Sequence, residues 1–443
     1  MRRHLSELIR LAVPSIGMRL GLMGLAVVDT AMVGHYATTH LAWLNLANQS
    51  VFIFALVVGL GLLLGTLIQV AGAYGADRTL ECGAIWRRTL RFTALISVIL
   101  VAVLWPAGLW LDLLGQTGET AERAAMLIRI LALGLPGHLF FVNCTFFLEG
   151  IKRNEVPFFL ILGANLINAA SNYVLVYGAL GAPELGAEGS AWTSTITRWT
   201  MAAMAFAFVW FAPSIRRFGV HRPYRGRWRD WALQRTIGYT SALSLAAEVA
   251  AFAGLAIFAG WLGTLPLAAH GVVFQVINLP LMIAVGIGVA TSVRVGITLA
   301  RRDRADTARA VMAGLGLNGV TVSLLALLVY LAGDLFLSLF TNDPRVIAKV
   351  MLVLGLLVFA TIFDASQMVM SNILRGFSET WWPTVLQGTS FGLVMLPACY
   401  LLAFPAGRGL QGLIEGMLIG VLTSLALQGL RLAWLLRHPP QRR

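Results

Sequence analysis

The stretch LIRLAVPSIGMRLGLMGLAVVDTAMV, Leu8 to Val33, decides how the rest of the chain is read. It is long enough to cross a bilayer, because about 20 apolar residues at 1.5 Å rise span a hydrocarbon core about 30 Å thick. Two of its residues are out of place in a plain anchor. Pro14 lacks the backbone donor a helix uses there and invites a kink. Asp29 puts a carboxylate inside the apolar run, in its outer third. An ionised side chain within a span costs about 2.5–3.5 kcal/mol on insertion scales, so it calls for water, a polar partner or a proton.

Composition places that stretch among others like it. Of 443 residues, 58% are hydrophobic and only 12% are charged, against about 25% charged in soluble domains. A polytopic membrane protein is expected. Leu8–Val33 is too long for a signal-peptide core, has no A-x-A-like site after it, and precedes further spans. The net charge of +13 would suggest nucleic acid in a soluble chain. Here the arginines lie between apolar runs, so topology explains them and no nucleic-acid partner is expected. Cys82, Cys144 and Cys399 are scattered without metal-ligand spacing and read as inert core thiols.

Twelve apolar runs follow one another, at 8–33, 43–72, 90–114, 125–149, 156–180, 190–212, 236–262, 267–293, 311–337, 346–374, 382–404 and 410–436. Basic residues gather at the termini and after the even-numbered runs: Arg2, Arg3 and Arg10; Arg78, Arg87, Arg88 and Arg91; Lys152 and Arg153; Arg301, Arg302 and Arg304; Arg437, Arg442 and Arg443. The other loops are short and neutral or acidic. The positive-inside rule therefore expects both termini in the cytoplasm of a multi-pass inner-membrane protein. Between runs 6 and 7, Arg216, Arg217, Arg222, Arg225, Arg227, Arg229 and Arg235 face only Asp230, as in a headgroup-facing linker. The expected division is an amino-terminal lobe at 1–213, this linker at 214–235, and a carboxyl-terminal lobe at 236–443.

The two halves echo each other. Gly34, Leu41, Ala42 and Gln49 recur 226 residues later as Gly260, Leu267, Ala268 and Gln275, and Gly150 and Pro157 as Gly376 and Pro383. Six spans per repeat give both halves one orientation and a pseudo-two-fold axis along the membrane normal. Parallel bundles of this kind are a transporter architecture.

Most of the twenty acidic residues sit in loops, tails or run ends. Asp29, Glu248 and Asp364 do not, and all three are candidates for proton or cation handling. The plainer readings are an interfacial Asp29 satisfied by Thr30 or His35, and a hydrogen-bonded structural pair of Glu248 with Asp364. On run 5, Asn165, Asn168 and Asn172 share one helix face, with Ser171 beside it, and could serve Asp29 or simply join helices. His138 stands 226 residues before Asp364 and is a secondary candidate, as are Gln49 and Gln275.

Taken together, the Pro14–Asp29 spacing, DTAMVGH (Asp29 to His35), LANQ (Leu46 to Gln49), Glu248, and FDASQ…LRG (Phe363 to Gly376) resemble the multidrug and toxic compound extrusion (MATE) transporters, and within them the DinF-like branch. The resemblance runs over essentially the whole chain. It implies an all-α integral membrane protein with twelve transmembrane helices in two six-helix lobes around a V-shaped cleft. It also implies a cation-coupled antiporter, not an enzyme, that works as a monomer in the bilayer. Asp29 matches the family's helix 1 aspartate and Asn168 an asparagine of the same coupling site, with Thr193 or Ser194 as its helix 6 hydroxyl. Asn172 stands where the family usually has a second aspartate, which casts doubt on a two-carboxylate sodium site. Glu248 and Asp364 match the acids of the second lobe.

The expected activity is therefore export of amphipathic, often cationic, small molecules. The coupling ion is a proton in preference to sodium, helix 1 rearranges at or near Pro14, and no cofactor or metal is needed. Sodium-coupled efflux is one alternative. A flippase for a lipid-linked precursor is another, but its cavity would be cationic, whereas the mid-span charges here are acidic apart from Arg19 and Arg198. The sequence holds no DDxxD-like cluster, G-x-S-x-G or HExxH to suggest an enzyme, and Gly59-Leu60-Gly61 and Gly286-Ile287-Gly288 read as close helix packing.

Overall fold

The computed structural model describes residues 2–223, 227–338 and 343–438. Arg225, Arg442 and Arg443 of the charge pattern lie outside them. Every regular element among the described residues is helical. Twelve long helices correspond to the twelve apolar runs: α1 (Arg2–Tyr36), α2 (Thr38–Gly75), α3 (Thr79–Leu104), α4 (Glu119–Gly150), α5 (Glu155–Tyr177), α6 (Ala187–Phe211), α7 (Ala232–Trp261), α8 (Thr264–Ala300), α9 (Arg304–Leu331), α10 (Leu354–Gly376), α11 (Trp381–Ala403) and α12 (Gly409–Arg437). Ten of these are long and apolar enough to cross a membrane. The eleventh is α3 taken with the short helix Ala107–Leu113, which bends from it by 58°. The twelfth is α6, whose hydropathy is diluted by Ser and Thr residues and by Arg198.

The third run, expected at 90–114, begins 11 residues earlier as α3, and the tenth, expected at 346–374, is divided. The tenth run is two elements, a short helix at Pro344–Met351 and then α10 from Leu354. The Asp343 carboxylate accepts from the backbone N–H of Arg345 at 2.9 Å, and Pro344 supplies a pre-set φ in the first turn. Arg345 and Lys349 give this short helix a charged face, while its Val346 and Val350 join a buried core with Leu354 and Leu357 of α10. Apolarity alone had merged the two.

Pro14 lies inside α1, which continues as one helix through it. Elsewhere the chain does break. A π-helical turn, Asn48–Phe52, interrupts α2, with Ser50 outside helical backbone space, and another, Thr389–Met395, interrupts α11.

The described chain forms two compact units, one of Leu20–Ala242 and one of Met1–Arg19 with Leu243–Arg443. Helices α1 and α7 are thus each divided between units. In the second unit, Leu8, Leu11 and Ala12 join a core with Ala284, Ile287 and Ile373, and the buried Arg294 of α8 pairs with Glu7. In the first unit, the Gln234 amide donates to Thr89 Oγ1 at 2.6 Å and to Thr66 Oγ1 at 3.2 Å.

Lipid tails are as apolar as leucine, so contact between spans comes from close van der Waals approach and hydrogen bonds. Gly65 and Gly238 show the first. A Cβ on Gly65 would lie 2.0 Å from the Gln234 carbonyl oxygen, and one on Gly238 2.3 Å from that of Leu62. The junction of α4 and α6 shows the second. Pro136 lacks the N–H that would bond back to the Ala132 carbonyl, and side chains of α6 bond to carbonyls on either side of that position: Thr195 Oγ1 donates to Ile130 at 2.9 Å, Arg198 to Leu131 at 3.5 Å and Trp199 Nε1 to Leu133 at 2.9 Å.

Candidate functional site

Asp29 is 8% exposed, within α1. Two faces of other helices meet it. On α5, Asn168 and Asn172 stand one turn apart and are fully buried, so their amides stack along one face. Asn168 Nδ2 donates to Asp29 Oδ1 at 3.1 Å and Asn172 Nδ2 donates to the same oxygen at 2.6 Å. Asn172 Nδ2 also lies 3.3 Å from Asn168 Oδ1. On α6, Ser194 Oγ donates to Asp29 Oδ2 at 2.5 Å. The carboxylate therefore accepts from three neutral donors, and no second acid is among them.

The other amino-terminal candidates fall away from this cluster. Thr193 is buried, and Ser194 supplies the hydroxyl that reaches Asp29. Asn165 donates instead to the Gly21 carbonyl at 3.0 Å and the Ile161 carbonyl at 2.8 Å, holding α5 to the α1 backbone. His35 bonds the Ala31 carbonyl at 2.7 Å. His138 is buried on α4, and Gln49 and Gln275 are exposed on α2 and α8.

Glu248 on α7 and Asp364 on α10 are 6% and 0% exposed. The Asp364 charge acts on Glu248, yet each acid has its own glutamine. Gln387 of α11 donates through Nε2 to Glu248 at 3.2 Å, and Gln367 donates to Asp364 Oδ1 at 3.4 Å. Asp364 Oδ2 accepts no hydrogen bond among the described residues.

Sequence reasoning missed the shell around these acids. Arg375 donates to Ser244 Oγ at 3.2 Å and Gln387 Oε1 at 3.5 Å, and Ser244 also donates to Gln387. Its guanidinium acts electrostatically on Glu248. Behind Asp364, Ser424 and Gln428 of α12 donate to Gln367 Oε1 at 3.4 and 3.3 Å. The signal was present. Asp364, Gln367, Ser371 and Arg375 are spaced by three or four residues on one face of α10, as are Ser244 with Glu248 on α7 and Ser424 with Gln428 on α12.

Two clusters, each centred on carboxylates away from water, suit the binding and release of a small cation or proton. The MatE family profile matches the chain twice, over residues 14–174 and 241–401. This chain belongs to the MatE family. The two matched segments start 227 positions apart, within one residue of the spacing of the internal repeat.

Curated relatives of this MatE chain include a probable multidrug resistance protein NorM of Caulobacter vibrioides. It is 36% identical, over 94% of this chain and 88% of its own length. The multidrug resistance protein NorM of Vibrio parahaemolyticus is 28% identical over 99% and 97%. In fold, the chain is similar to the eukaryotic MATE transporter AtDTX14, with a TM-score of 0.87 at 22% identity over 97% of this chain and 96% of that one. It is similar also to an outward-facing multidrug resistance MATE family transporter, with a TM-score of 0.89 at 18% identity over 98% and 96%. MatE proteins are membrane transporters and not enzymes, and this one is multi-pass.

Proposed function

We propose that this MatE chain is a proton-coupled antiporter of the cytoplasmic membrane that exports amphipathic, often cationic, small molecules by alternating access. Both termini would be cytoplasmic, and the protein would act as a monomer without cofactor. The multidrug resistance names of its NorM relatives support the substrate class.

The observation that carries the choice of ion is the amide at position 172. An aspartate there could only accept hydrogen bonds when ionised, whereas an amide offers both a donor and an acceptor. Asn172 Nδ2 faces the carboxylate, and its Oδ1 accepts no hydrogen bond among the described residues. Turned about χ2, the same side chain accepts from a protonated Asp29. One residue thus satisfies both states of the acid, and protonation needs no third ligand. Facing outward, Asp29 takes a proton, its bonds to Asn168, Asn172 and Ser194 rearrange, helix α1 shifts, and substrate leaves. Facing inward, the proton leaves and substrate returns. Coupling follows because proton and substrate favour opposed states of one equilibrium.

Asp29→Asn tests the reading. Drug resistance and substrate-triggered proton release should both disappear, while the protein still inserts and purifies as a folded species. Normal resistance together with normal proton release would sink it. A second reading, sodium coupling in the other unit, rests on Glu248 and Asp364, two acids beside the single guanidinium of Arg375.

A further inference from the structure

Arg198 stands one turn beyond Ser194 on α6, and side chains at that spacing leave the helix on one face. Ser194 is bonded to Asp29. The Arg198 guanidinium is held in place from two sides. One nitrogen donates to the Leu131 carbonyl at 3.5 Å, and its carbon lies 4.9 Å from the centroid of the Phe52 ring. Phe52 is buried and closes the π-helical turn of α2. Stacking and a carbonyl can hold a planar guanidinium without neutralising its charge. That charge acts on Asp29. On the helices that bond at Asp29, the other titratable groups with described side chains are Glu7, Arg10, Arg19, His35 and Tyr36 on α1, Glu155, Tyr173 and Tyr177 on α5, and Glu188 at the start of α6, with His138 midway along α4. Glu188 is engaged by Arg123 at 3.8 Å. Arg198 is the fixed charge of the site.

We propose that Arg198 is the resident counter-cation of the Asp29 cluster, and that it makes this half of the transporter blind to sodium and responsive to protons. This rests on reading Asp29 as the coupling group. A metal ion needs several oxygen ligands and a net negative charge to replace its hydration shell. The cluster presents two amide nitrogens and a hydroxyl to Asp29, and the single negative charge is already balanced by Arg198. Sodium would therefore enter beside a cation, with few oxygens turned toward it. A proton needs neither a shell nor a net charge, because it bonds to one carboxylate oxygen. Its arrival takes the cluster from neutral to singly positive, which repels a cationic substrate at the moment release is required.

The test uses the full-length chain in liposomes, with radiolabelled sodium binding and sodium-triggered release of ethidium at constant pH, choline replacing sodium. Only the part of each signal lost on adding Asp29→Asn is counted. The unsubstituted chain should show none. Arg198→Gln keeps a donor for the Leu131 carbonyl and should gain an Asp29-dependent sodium affinity of about tenfold or more, the size of one modest charge interaction. Adding Asn172→Asp should strengthen it, and Arg198→Lys, which retains the charge, should remain sodium-blind. Asp29-dependent sodium binding in the unsubstituted chain overturns the proposal, as does a folded Arg198→Gln that stays sodium-blind. Should Arg198→Gln fail to fold, the comparison of the unsubstituted chain with Asp29→Asn still decides. If proton-driven ethidium release survives Asp29→Asn, the coupling reading itself fails. If release is lost but Arg198→Gln ignores sodium, only the role of Arg198 falls.

Discussion

Asn172 Nδ2 approaches Asp29 Oδ1 to 2.6 Å, nearer than Asn168 Nδ2 at 3.1 Å. The residue that departs from the family's acidic pattern thus makes the shorter contact with the acid that remains. An amide there removes one charge from the cluster and supplies a donor in its place.

Asn172→Asp should reverse both effects. Two carboxylates within hydrogen-bond reach in a buried site cannot both be ionised without a large cost, so the pair should hold one proton over a wide pH range. Substrate-triggered proton release, followed with a pH dye across a pH series, should then show two protonation steps belonging to the pair. Export at neutral pH should fall. A single-step profile like that of the unsubstituted chain would count against a direct contact of residue 172 with Asp29.

Thr195 bears on architecture without touching either acid cluster. Thr195→Val keeps the shape of the side chain and removes its bond to the Ile130 carbonyl. Interhelical bonds of this kind contribute about 0.6–2 kcal/mol in membranes. The detergent-solubilised variant should unfold at a slightly lower temperature, and resistance conferred on cells should be unchanged. An unaltered unfolding temperature would show that this bond adds nothing to the hold of α6 on α4.

Much of this was legible in the sequence, and what was not has a physical cause. The spans could be read because a bilayer demands long apolar runs, and Asp29 because a charge in such a run is conspicuous. Asn168 and Asn172 followed from helical periodicity around that charge. Arg375 stands at helical spacing from Asp364 and so was legible, whereas Gln387 lies on α11 and no spacing in the sequence joins it to Glu248. The π-helical turn at Asn48–Phe52 had no signal. Neither Gly nor Pro marks it, and its backbone is set by packing that local sequence does not encode. The division of α1 near Arg19 is equally invisible, since apolar residues continue on both sides of it.

Outside the membrane, Asp343 gives a prediction in pH. Its carboxylate lies below the usual range because the Arg345 side chain and backbone N–H both donate to it. A folded-state pKa below the unfolded value of about 3.9 means that the cap stabilises the short helix at neutral pH. The contribution is lost as pH falls through the lowered value. Amide exchange at Arg345 and Val346, corrected for its intrinsic pH dependence, should show protection that persists through mildly acidic pH and disappears in strong acid. Asp343→Asn should flatten that dependence while leaving some capping. Protection that rises on acidification would contradict the assignment.

Arg375 and Glu248 form the strongest stability test, because each is buried and acts on the other's charge. Removing one partner of a buried charge pair leaves the other uncompensated, at a cost of about 3–5 kcal/mol. Arg375→Met strands Glu248 with only Gln387, and Glu248→Gln strands Arg375 among Ser244 and Gln387. Each single variant should lose thermal stability in detergent. The double variant Glu248→Gln/Arg375→Met removes both charges and should recover most of the loss, since replacing a buried pair by neutral groups is often close to neutral. Interaction energies of about 0.5–3 kcal/mol are what such a cycle resolves. If the two single losses simply add, the residues are independent and Arg375 serves Gln387 alone. If they do not, Arg375 compensates Glu248 in the second unit as Arg198 is proposed to compensate Asp29 in the first. The net charge left for a coupling ion in that unit is then carried by Asp364.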